Sequence, residues 1–126
     1  MSALPDSVTV RVPASTSNCG AGFDTLGLAF KLYNHVTLRR TSGDIRPAGP
    51  GDERATVMVA SAAAAYFAAT GHEPFGFVFS ISGDVPPARG LGSIITVRAG
   101  VVAGLNALTG DRLPRSRIVA ILTALE

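Results

Sequence analysis

A single cysteine and a single lysine occur among the 126 residues, and each scarcity narrows what the chain can be. Cys19 has no second thiol to pair with, so no intrachain disulfide is possible and the fold fits a reducing compartment. Lys31 is the only lysine; the other basic residues are arginines. The formal net charge is only +2, with loose clusters at Arg39-Arg40 and at Arg112, Arg115 and Arg117. That is too sparse for a nucleic-acid footprint and reads as solvated surface. No Gly-Lys-Ser/Thr occurs, which excludes a Walker phosphate loop. The longest apolar stretch, 57–69, is alanine-rich and falls short of the roughly 20 residues that cross a bilayer. Met1–Asp6 lacks the basic start and apolar run of a secretory leader. The expectation is a soluble cytoplasmic protein with no membrane and no nucleic-acid partner. His35 and His72 have no metal-ligand spacing and read as a strand residue and a turn residue. No internal repeat or low-complexity segment is present.

Hydrophobic residues make up 47% of the chain, enough for one domain with a real core. Ser7–Val12 alternates and predicts a strand that Pro13 ends. Residues 14–27 are rich in Ser, Thr, Asn and Gly and read as a loop. Leu28–Arg40 returns to strand chemistry, and Thr41–Gly51 reads as a Gly/Pro-rich surface connection. A helix is predicted to run to about Thr70, capped by Asp52 or Thr56 and stopped by Gly71. Phe75, Phe77, Phe79 and Ile81 share one face of the clearest strand. Ser93–Leu108 reads as a helix in which Gly100 and Gly104, four apart, mark close packing; Gly110 ends it. Leu113-Pro114 opens a last helix with Ile118, Ile121, Leu122 and Leu125 at helical spacing. That helix is expected to be interrupted at Glu126, and the chain to be a truncated piece of a longer protein.

Pro86-Pro87-Ala88-Arg89-Gly90-Leu91-Gly92-Ser93 runs straight into the helix at 93. Glycines let backbone approach a ligand closely, and the helix start offers unpaired N–H groups and the positive end of its dipole. This combination suits a phosphorylated ligand. The plainer reading is a tight strand–helix turn with Ser93 as N-cap. A Rossmann site fits worse, because its glycines follow a strand directly, whereas Pro86-Pro87 intervenes here.

Two segments together resemble the homoserine kinases of the GHMP small-molecule kinase superfamily. Val12-Pro13-Ala14-Ser15-Thr16-Ser17-Asn18-Cys19-Gly20-Ala21-Gly22-Phe23-Asp24-Thr25-Leu26-Gly27-Leu28-Ala29 looks like their first motif, and Gly83 to Ser93 like their ATP-binding motif. The glycine motif is shared across the superfamily; the first motif points more narrowly. The resemblance covers nearly the whole chain but corresponds to the N-terminal part of a full enzyme. It implies an α+β domain like ribosomal protein S5 domain 2, with a mixed or antiparallel sheet packed against helices. Residues 1–126 would be the N-terminal, ATP-binding domain of such a kinase, with the C-terminal domain absent.

What the resemblance implies for function is transfer of the γ-phosphoryl group of ATP to the hydroxyl of L-homoserine, in threonine biosynthesis, with Mg²⁺ as cofactor. Pro87, Ala88, Arg89, Gly90, Leu91, Gly92 and Ser93 would bind ATP. Asn18 and Asp24 would contact homoserine, a carboxylate suiting the substrate ammonium; alternatively both side chains close Asx-turns in their loop. Glu126 resembles the Mg²⁺-ligating glutamate, with Ser93 as a second ligand; otherwise Glu126 is an ordinary helix residue. No catalytic base stands out. A homodimer is the expectation for the full-length enzyme only, and the 126 residues alone are expected to be inactive. Two positions depart from the family. Ile94 stands where a second serine is usual, leaving Ser93 or Thr96 as the nearby hydroxyls; Thr56 or Val57 stands where an adenine-contacting Asn is common. Cys19 replaces an aliphatic residue and reads as a small apolar filler. Two alternatives remain: a sister GHMP kinase of the mevalonate or galactose type, or a catalytically dead nucleotide-binding module.

Overall fold

Alternation of apolar and polar residues gives the computed structural model its sheet. It describes residues 6–13, 33–83, 93–110 and 113–125. Strands β1 (Ser7–Pro13), β2 (Tyr33–Thr41), β3 (Arg46–Pro47) and β4 (Gly76–Gly83) lie in the order β1-β2-β4-β3. The β1–β2 and β2–β4 pairs are antiparallel, and β3 runs parallel to β4. Register sets Val36 between Val10 and Ile81, and Leu38 between Val8 and Phe79. Val36, Leu38, Phe77 and Phe79 are fully buried on that face, each such side chain contributing roughly 1.5–3 kcal/mol through lost apolar exposure. The opposite face carries Thr9, Arg11, His35, Thr37 and Arg39, with the Thr9 and Thr37 hydroxyls 2.9 Å apart. This is the mixed sheet with helices expected from the sequence.

Helix α1 (Thr56–Thr70) ends as predicted, at Gly71 in the left-handed region, φ 70°. Its start differs from expectation. A 3-10 turn, Pro50–Ala55, runs directly into it, Ala55 is the N-cap, and no side chain caps it. Asp52 does other work. Its Oδ2 accepts a hydrogen bond from the Ile81 N–H at 3.1 Å. Strand β3 is only two residues long, so the edge of β4 would otherwise lack a partner there; the Ala48 N–H to Phe79 carbonyl bond, 2.7 Å, and then the Asp52 carboxylate extend the ladder. The 41–51 stretch is thus more ordered than a surface connection.

Helix α2 (Ser93–Leu108) has the predicted bounds and lies over β1 and β2. Gly100 and Gly104 permit this. A methyl at Gly100 would overlap Cγ2 of Val36, and one at Gly104 would lie 2.7 Å from Cδ1 of Leu38. Helix α3 (Arg115–Ala124) starts after Pro114 as N-cap and buries Ile121. Polar groups tie the helices together. The Tyr66 hydroxyl lies 2.6 Å from that of Thr109 and donates to Asn106 Oδ1 at 3.2 Å. Asn106 also accepts from the Leu113 N–H at 2.9 Å and donates to the Leu113 carbonyl at 3.1 Å, which fixes where α3 begins. No helix among the described residues is long and apolar enough to cross a membrane.

Candidate functional site

Both motif-bearing segments attach to one end of the sheet. Pro13 and Tyr33 are register partners, so residues 14–32, which carry Asn18 and Asp24, leave β1 and enter β2 side by side. Asn34 is in turn the partner of Gly83, so residues 84–92 leave β4 at that same end. They lead to Ser93, the first residue of α2. Asn18, Asp24, Pro87, Ala88, Arg89, Gly90, Leu91, Gly92 and Glu126 themselves lie outside the described residues, and Ser93 is described only as the start of its helix. What the structure brings together is therefore their anchors: Pro13, Tyr33, Gly83 and Ser93.

Two interactions hold these anchors in place. Asn34 Nδ2 donates to Thr96 Oγ1 at 2.8 Å, and both residues are buried. In a dry setting such a pair is costly to break, because Asn34 would lose the acceptor for its side-chain N–H. It fastens the first turn of α2 to the first residues of β2. Thr96, one of the two hydroxyls near the phosphate loop in sequence, thus braces the helix against the sheet. Sequence reasoning passed over Asn34; the signal available was a polar residue in the buried register of Asn34, Val36 and Leu38. The second interaction is a close approach. At Gly83, φ 141°, an added Cβ would overlap the Tyr33 carbonyl oxygen and lie 2.7 Å from Cα of Asn34. Only glycine lets β4 leave the sheet there.

The electrostatics of this end favour an anion. The first turn of α2 holds no acidic residue, so the helix itself does not neutralise its positive dipole end. Arg98, in the second turn, donates through Nη1 to the Leu125 carbonyl at 3.2 Å, and its Nε is buried with no hydrogen-bond partner. Phosphate groups fit this setting. No group of three or more His, Cys, Asp or Glu side chains gathers among the described residues; Mg²⁺ commonly takes one or two carboxylates plus substrate phosphates, which the single carboxylate Glu126 and a nucleotide would match. Val57, at the position of interest for adenine, is 82% exposed. A groove of about 560 Å³ lies elsewhere, beside the C-terminal half of α1, between Ala64, Phe67, His72 and Phe75. His72 lies there in the connection between α1 and β4, with no turn assigned at it. Its Nδ1 lies 2.8 Å from the Glu73 carbonyl, and its ring sits against Phe67 and Phe75.

Residues 57–126 match the family model described as the GHMP kinases N terminal domain. The chain is 38% identical over 122 residues to a homoserine kinase of Moorella thermoacetica, covering 93% of this chain and 41% of that protein. It is 37% identical over 132 residues to a homoserine kinase of a Synechococcus strain, covering 98% and 42%. It spans about two-fifths of the length of these relatives. In fold it is similar to the crystal structure of homoserine kinase from Cytophaga hutchinsonii, with TM-score 0.74 and 22% identity over 98% of this chain and 42% of that one. A mevalonate kinase from Methanococcus jannaschii matches with TM-score 0.71 and 16% identity, over 94% and 45%.

Proposed function

Because the chain belongs to the GHMP kinase family, we propose that it is the N-terminal, nucleotide-binding domain of an ATP-dependent homoserine kinase. The observation that carries the reading is the shared sheet end: the segment holding Asn18 and Asp24 and the segment holding the glycines are anchored on paired residues. A phosphoryl acceptor and a phosphoryl donor held by those segments would be neighbours. Relatives named homoserine kinase at 37–38% identity favour homoserine as the acceptor.

In this reading the backbone of Pro87–Gly92 and the N–H groups at Ser93 hold the ATP phosphates, and the α2 dipole offsets their charge. Asp24 pairs with the homoserine ammonium, and Asn18 bonds its polar groups. Together they point the side-chain hydroxyl at the γ-phosphorus. The hydroxyl oxygen forms the new P–O bond, the bond to the ADP oxygen breaks, and the hydroxyl proton is released to solvent. Glu126 and Ser93 would hold Mg²⁺, which would neutralise charge on the phosphates. The chain supplies positioning and electrostatics rather than a dedicated base. The reaction would serve threonine biosynthesis in the cytoplasm.

The test is ADP release by the full-length protein with Mg-ATP and a panel of homoserine, mevalonate and galactose. Homoserine-dependent release is the expected result. Release with another alcohol alone would reassign the acceptor, and calorimetric Mg-ATP binding without any turnover would mark a dead binding module.

A further inference from the structure

Helix α2 meets β2 at three evenly spaced places. Thr96 faces Asn34, Gly100 faces Val36 and Gly104 faces Leu38. Two residues of strand advance about 6.6 Å and four residues of helix about 6 Å, so the two elements run in step. The contacts differ in kind. At Gly100 and Gly104 the helix backbone rests on aliphatic side chains. Apolar contact has no direction, so it holds the helix down without fixing it along its axis. The bond from Asn34 Nδ2 to Thr96 Oγ1, 2.8 Å, is directional, and its two residues are 4% and 1% exposed. The polar ties at Asn106 and Thr109, at the far end, hold α2 to Tyr66 and Leu113 rather than to the sheet. Asn34 also borders Gly83. The two are register partners, and a methyl at Gly83 would lie 2.8 Å from Asn34 Oδ1. One buried side chain thus meets both the last residue of β4 and the first turn of α2.

Resting on the kinase reading above, we propose that Asn34 is a positioning residue for the nucleotide. Its bond to Thr96 sets where α2 sits along the sheet. It thereby sets where the positive dipole end of that helix stands relative to the end of β4. A slip of α2 by one residue is about 1.5 Å, enough to misplace a phosphate held at the helix start. Asn34 touches no ligand in this role; it acts through the helix.

The experiment uses the full-length protein with Asn34→Leu, Thr96→Val and the two combined. Calorimetry with Mg²⁺ and a non-hydrolysable ATP analogue reads nucleotide affinity, denaturant unfolding reads stability, and ADP release reads the KM for homoserine. Each single variant breaks the bond. Each is expected to lose stability and to bind nucleotide about tenfold more weakly, with the KM for homoserine changed by less than about twofold. The combined variant replaces both polar groups by apolar ones, which is expected to restore most of the stability but no direction. Its nucleotide affinity is expected to stay about tenfold below wild type. Affinity that returns together with stability overturns the proposal, being the mark of a merely structural pair. So does wild-type affinity in a folded single variant, or an equal loss for nucleotide and homoserine. If Asn34→Leu does not fold, Thr96→Ser, which keeps the acceptor, is compared with Thr96→Val. Near-wild-type affinity is expected for Thr96→Ser, and a loss as large as that of Thr96→Val overturns the proposal. The expected nucleotide affinities without homoserine-dependent turnover would remove the homoserine reading alone, and a wild-type protein that binds no nucleotide would overturn both.

Discussion

A methyl group at residue 83 has nowhere to go: it would run into the Tyr33 carbonyl, and φ there is 141°. Gly83→Ala is therefore expected to cost about 3 kcal/mol, seen as a lowered denaturation midpoint with an unchanged slope. The sequence marked this glycine only as part of a motif; the need for it comes from the neighbouring strand, which no local pattern reveals. Ile94 is a residue of the opposite kind, legible in the sequence by its departure from the family. Restoring the hydroxyl with Ile94→Ser in the full-length protein is expected to tighten Mg-ATP binding or raise turnover about fivefold, the worth of roughly one hydrogen bond. Calorimetry and steady-state rates measure it, and no change would mean that this loop binds phosphate in another way.

Among the elements, Phe77 and Phe79 announced β4, and the bounds of α2 were legible outright from the loop before it and Gly110 after it. Element β3 was not legible, because two residues have no period. Asp52 was legible as an acidic residue before a helix but not as a substitute strand partner, since Ile81 lies 29 residues away. The Asn106 clamp was likewise hidden, being a contact between the end of one helix and the start of the next. Asn106→Leu removes both bonds to Leu113 and the acceptor for Tyr66. The expected loss is about 2–3 kcal/mol, with hydrogen exchange in α3 accelerating before the rest of the domain. Asn106→Asp, which keeps the acceptor, is expected to fall between.

At the scale of the molecule, the described residues hold one core but only the anchors of the candidate site. The motifs were legible as motifs; the nearness of their anchors was not, because it depends on the pairings Pro13–Tyr33 and Asn34–Gly83, which join positions far apart in the chain. Residues 1–126 prepared alone are expected to show no homoserine-dependent ADP release, since they span only 41–42% of the relatives' length; measurable release would refute this. The pairing also makes the sheet a directional object. All the motif segments attach at one end, whereas the turn at 42–45 sits at the other, across the nine residues of β2, a span of about 30 Å at the usual strand rise. Ser42 is exposed there. A fluorophore or affinity handle fixed at that turn would ride on the pole away from the motif segments, sensing their end only through what the strands themselves transmit.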